Sequence, residues 1–140
     1  MKLLNIVRQL NQTGAGMILE QADGQVYSYD TEAVETLYRL LNEAPARLRG
    51  AWIAAKTVGM GAAAIMVAGG VSRVHALVVS ERAMAYLHEG GVNVTAETCV
   101  ESILNHDGVA PSSLEIGLAS LHDLPSILAA IEGFFRTGRR

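Results

Sequence analysis

Apolar and polar positions alternate along this chain in two rhythms, one near 3.6 residues and one near two. Leu3, Leu4, Ile6, Val7 and Leu10 follow the first, predicting a helix over about residues 2–12. TGAG breaks it. MILEQADGQVYSY follows the second, with strands over about 16–21 and 25–29. Asp23-Gly24 between them predicts a type I′ hairpin, whose two central residues both take positive φ.

The helical rhythm returns with Val34, Leu37, Tyr38 and Leu41, where Asp30 or Thr31 can cap and Pro45 ends the element. GAWIAA, 50–55, is a short apolar run expected to be a buried strand. Residues 57–69 follow as a helix stopped by Gly69-Gly70. VHALVV, 74–79, is rich in β-branched residues and predicts a strand. Ser80 caps a helix carrying Met84 and Leu87 and ending at Gly90-Gly91. VNVT is the next strand. Thr95 is then placed as the cap of a helix with Cys99, Val100, Ile103 and Leu104 on its stripe. Pro111 opens another, with Leu114, Leu118 and Leu121. Pro125 opens the last, with Ile127, Leu128, Ile131, Phe134 and Phe135.

The order α-ββ-α-β-α-β-α-β-α-α-α predicts a hairpin followed by three parallel strands with right-handed crossovers. The fold class is therefore α/β: a three-layer α/β/α sandwich on a mixed five-stranded sheet with an N-terminal antiparallel hairpin. The 140 residues suit one domain, 1–140, and half are hydrophobic, enough for an ordinary core.

Charge and cysteine content narrow the function. Eleven basic against 14 acidic residues, net −3, argue against a nucleic-acid partner. The basic cluster Arg136, Arg139 and Arg140 reads as a solvated tail. One cysteine, Cys99, allows no intrachain disulfide and fits a reducing cytoplasm; its apolar stripe predicts a buried thiol. The N-terminus lacks the long apolar centre of a signal peptide, and no run approaches the ~20 apolar residues of a membrane span. His75, His88, His106 and His122 show no ligand spacing, so no metal and no cofactor is expected.

In parallel sheets, ligands bind beyond the C-terminal strand ends. Lys56 follows the third strand in this reading, and Ser80 and Glu81 follow the fourth. A cation at a helix N-terminus opposes the macrodipole. Lys56 therefore points into water, pairs with Glu81, or meets an anionic ligand that the first-turn amides also hold. GMGAAA, 59–64, matches G-x-G-x-x-A, with Glu81 20 residues beyond Gly61. Three residues separate Ala55 from Gly59, however, and too little chain remains for a dinucleotide fold. Small residues that let a central helix pack closely explain the run better. Ser112 and Glu115 have the spacing of a capping box after Pro111.

AKTVGMGAAAIMV (55–67), VVSERAMAYL (78–87) and ILNHDGVAPSSLE (103–115) resemble three motifs of a small bacterial and archaeal family of unknown function with a cytidine-deaminase-like fold. Lys56, Val58 and Gly59 match the first motif, Ser80, Glu81 and Ala83 the second, Asn105 and Glu115 the third. Ala55 stands where that family often has an acid, His106 where it often has a base, and Ser112 where it often has cysteine. The H-x-E and P-C-x-x-C of zinc deaminases are absent. The resemblance implies the scaffold without the zinc chemistry.

The expectation is a metal-free, cytoplasmic domain that binds a small anionic or nucleotide-like ligand through Lys56, Gly59, Ser80, Glu81, Asn105 and Glu115. The alternatives are an enzyme using Lys56 as base or amine nucleophile, and an interaction module without a ligand. A homo-oligomer is compatible with each.

Overall fold

Five strands and six helices are formed by the residues described in the structure, a computed structural model that covers 2–103 and 113–136. Helix α1 spans Lys2–Thr13. The hairpin strands are β1 (Met17–Glu20) and β2 (Val26–Tyr29). Helix α2 is Ala33–Glu43, followed by a 3-10 turn at Pro45–Arg47. Then β3 (Trp52–Val58), α3 (Met60–Gly69), β4 (Arg73–Ser80), α4 (Glu81–Glu89) and β5 (Asn93–Val100) alternate. Helices α5 (Ser113–Leu118) and α6 (Leu124–Arg136) close the fold.

The sheet order is β2-β1-β3-β4-β5. Strand β1 runs antiparallel to β2 and β3, while β3, β4 and β5 are parallel. The predicted mixed five-stranded sheet with an N-terminal hairpin is thus present. Side-chain alternation divides the interior. Met17, Leu19, Ile53 and Ala55 enter the larger core, with Leu37 of α2, Ile65 of α3, Leu87 of α4, Leu114 of α5 and Ile131 of α6. Ile18 and Ala54, the residues between them, enter a smaller core with Ile6 and Leu10 of α1. Helix α1 therefore covers one face, over β1 and β3, and the other helices lie on the opposite face.

Helix α3 is central. Met60 to Met66 are all buried, as expected for a helix apolar on every side. Gly70 ends it with φ +79°, a left-handed C-cap that satisfies the last carbonyls without a Cβ clash. A Cβ on Gly61 would stand 2.9 Å from Leu114 Cδ2 and 3.1 Å from Val34 Cγ2, so this glycine lets α5 and α2 approach α3. Helix α4 is capped as predicted, with the Ala83 amide donating to Ser80 Oγ at 3.2 Å.

Several expectations are corrected. The predicted helix beginning at Thr95 is the body of β5, paired with β4 from Asn93 to Val100. Its β-branched residues take the strand offered by β4. Asn93 to Glu97 alternate polar and apolar, with Val94 and Ala96 against the larger core, but Thr98-Cys99-Val100 break the alternation on this exposed edge strand. Cys99 lies on that strand and is exposed. Strand β3 continues to Val58 and α3 starts at Met60, so Lys56 is a strand residue. At the hairpin only Gly24 has positive φ, +97°, and its amide donates to the Gln21 carbonyl. The turn is thus a three-residue loop with a left-handed glycine, the alternative that right-handed strand twist also accepts. Helix α2 has Glu32 at its N-cap without a side-chain cap, and Thr31 bonds to Thr36 instead.

Candidate functional site

The C-terminal ends of β3 and β4 deliver the starts of α3 and α4 to one edge of the sheet. A helix start exposes amides that have no intrahelical acceptor, and the macrodipole makes that end positive. At α3 these amides are occupied by Glu115 of α5. The Met60 amide donates to Oε1 at 2.8 Å and the Gly61 amide to Oε2 at 3.2 Å. Gly59, the N-cap, makes room for this: a Cβ there would lie 2.8–2.9 Å from the carboxylate. Glu115, read in the sequence as the partner of Ser112 in a capping box, thus caps a helix 55 residues earlier in sequence; the capping box itself falls on Ser112, outside the described residues.

Helix α5 is held from its other end as well. Arg82, on the first turn of α4, donates from Nη1 to the Leu118 carbonyl at 2.7 Å and from Nη2 to the Leu121 carbonyl. A cation at the last carbonyls of α5 and an anion on the first amides of α3 each complement a dipole end. Leu114 and Leu118, buried in the larger core, complete the attachment.

Of the residues singled out in the sequence, the structure brings together Gly59 and Glu115. Ser80 is buried and committed to its cap, and Glu81 opens α4 beside it. Asn105 lies outside the described residues, as do Ser112 and His106. Lys56 is not part of this group. Its ammonium donates to the Gly14 carbonyl at 2.9 Å, just beyond α1, and makes no ion pair with Glu81. The macrodipole conflict that made Lys56 conspicuous does not arise, because the residue stands within β3 and reaches toward the α1 layer. Lys56→Ala is expected to lower stability by about 0.5 kcal/mol, the low end for one hydrogen bond at an exposed site. Urea unfolding measures it, and a loss of ligand binding at α3 in this variant would contradict the separation.

The sequence reading missed Arg82, although it lies within a quoted motif; it expected first-turn amides to hold an anion but began the helix at 57, before Met60 and Gly61. A backbone donor leaves no trace in residue type, and the two bonds to Glu115 join positions that only the tertiary fold makes neighbours. Among the described residues, no three His, Cys, Asp or Glu side chains are grouped to hold a metal ion. No helix there is long and apolar enough to cross a membrane.

A mixed open sheet with helices on both faces and two helix N-termini at one edge defines an α/β protein of the open-sheet class. The chain belongs to the TM1506 family, a domain of unknown function (DUF1893), whose profile matches residues 5–135. No curated protein matches it. Among solved structures it is similar to a DUF1893 family protein (TM1506) from Thermotoga maritima, with TM-score 0.83 and 17% identity over 94% of this chain and 88% of that one. At that identity the likeness concerns the fold.

Proposed function

We propose that this protein is a binding domain for a small anionic or nucleotide-like ligand, taken at the N-terminus of α3, and that the ligand displaces the Glu115 carboxylate. One observation carries the reading: two backbone amides at the C-terminal edge of the sheet already grip a carboxylate, at 2.8 and 3.2 Å. A phosphate or carboxylate suits the same donors, since free amides and the macrodipole both favour negative charge. Gly59 supplies the clearance, and Ser80 and Glu81 stand at the neighbouring helix start. Asn105, in the segment leading to α5, belongs to the proposed ligand set. Lys56 does not.

The sheet order β2-β1-β3-β4-β5 and the two helix starts at one edge support the cytidine-deaminase-like reading of the scaffold. Those helix starts carry Gly59, Met60 and Gly61 on α3, and Ser80, Glu81 and Arg82 on α4. These are not zinc ligands of the deaminase kind, which supports binding without that metal. Lys56, hydrogen-bonded to a carbonyl at the α1 end, offers no support to an amine nucleophile.

The test is amide NMR of the whole chain titrated with inorganic phosphate, nucleoside monophosphates and sugar phosphates. The Met60 and Gly61 resonances are expected to shift saturably. Glu115→Gln, which weakens the internal competitor, is expected to tighten binding severalfold while lowering stability by about 1 kcal/mol, as for loss of a good N-cap. Unmoved Met60 and Gly61 amides at millimolar ligand, in wild type and Glu115→Gln alike, would end this reading.

A further inference from the structure

On the other face of the sheet, beside α1, one half-buried arginine has no hydrogen-bond or ion-pair partner among the described residues. Arg39 bonds to Glu35, Arg47 to Gln21 and Tyr29, and Arg82 to two carbonyls. Among the described residues Arg73 makes no hydrogen bond and no ion pair, and its Nε is closed to solvent without an acceptor. A buried donor left unmade is costly, more so on a charged group. The Nε is enclosed, so an acceptor from outside can reach this guanidinium only at its two terminal nitrogens, which are not closed off and also lack an acceptor among the described residues.

Its surroundings are built for one. Glu20, Trp52, Arg73 and Asn93 form one row across β1, β3, β4 and β5. The Arg73 guanidinium carbon lies 4.7 Å from the centroid of the Trp52 ring. Trp52 packs against the α1-side core, so the stack rests on a fixed base. Stacking orients the guanidinium plane and leaves its donor edge available, the geometry that receives two oxygens of one anion. In the next row His75 is already held, with Nδ1 2.7 Å from Thr95 Oγ1 and Nε2 3.5 Å from Glu97 Oε2. Asn93 is exposed on β5 beside Arg73 and adds an amide donor.

We infer that Arg73, stacked on Trp52 and flanked by Asn93, binds a carboxylate or phosphate group of a small molecule, at a site independent of the α3 N-terminus. Trp52 is the chain's one tryptophan, so its emission reads the site directly. The whole chain is titrated with inorganic phosphate and, separately, citrate, against sodium chloride at matched ionic strength. A saturable change in Trp52 emission with phosphate, citrate or both is expected, and the responding anion names the group. Arg73→Gln is expected to weaken binding about tenfold or more, the scale of a lost charge-assisted pair, and Arg73→Lys to fall between, since it keeps charge but loses the fork. Asn93→Asp, at an exposed position that does not threaten folding, is expected to weaken it as well. Emission that follows chloride alone, or equal affinity in Arg73→Gln, overturns the inference; if Arg73→Gln does not fold, equal affinity in Asn93→Asp does so. Shifts at Met60 and Gly61 do not bear on it.

Discussion

Gly16→Ala is expected to lower the unfolding free energy by about 3 kcal/mol or more, the upper range for forced overpacking. A Cβ at this position would stand 2.1 Å from the Thr31 carbonyl oxygen and 3.0 Å from its carbon. These are backbone atoms, so no rotamer change relieves the overlap. Gly16 cannot retreat either. Its amide donates to the Tyr29 carbonyl at 2.9 Å, and its carbonyl accepts the Lys56 amide at 3.1 Å. It is thus tied to the end of β2 on one side and to β3 on the other. Gly14 is the control. It has φ +70° with nothing within 4 Å of a built Cβ. Gly14→Ala should cost only the left-handed conformation, about 1–2 kcal/mol. Urea unfolding with comparable m-values separates the two. Equal losses would mean that the approach of Thr31 is not what selects glycine at 16.

Ile53→Ala is expected to cost about 2–5 kcal/mol. Ile53 is fully buried near the start of β3, the central strand of the sheet. Its row runs Tyr27, Leu19, Ile53, Val74, Val94 across all five strands. Neighbours on both sides are held by ladder hydrogen bonds, and the larger core lies above, so the space left by three carbons cannot collapse easily. Ile53→Val, which removes one carbon, should cost about 0.5–1.5 kcal/mol. The ratio of the two losses, measured by denaturant unfolding, reports how rigid the cavity is. Equal losses would place the effect in the backbone rather than in packing.

The parts of the fold that were legible in the sequence are those with a local cause. Asp23-Gly24 marks a turn because a left-handed residue is needed there. Gly70 and Gly90-Gly91 end helices for related reasons, and Ser80 caps α4 through an amide three residues away. The strands β1, β3 and β4 are apolar runs of suitable length, and the βαβ order makes the last three parallel. The second half of β5 was misread because Thr98, Cys99 and Val100 break the alternation of the exposed edge strand, and Cys99, Val100, Ile103 and Leu104 fall at helical intervals. The candidate site was legible only in its members. Gly59 and Glu115 were both singled out, for reasons other than the close approach between them.

The sequence by itself determined the order of elements as far as α4, the parallel arrangement of β3, β4 and β5, and the small, apolar character of α3, since these follow from periodicity, turn chemistry and chain connectivity within short windows. Only the tertiary structure decided that Glu115 caps α3, that Lys56 closes the end of α1, and that Arg73 is left on Trp52 without an acceptor among the described residues. Each of those is a polar contact, made or missing, between segments distant in the chain, and its energy depends on angstrom-scale placement that residue type and spacing do not encode.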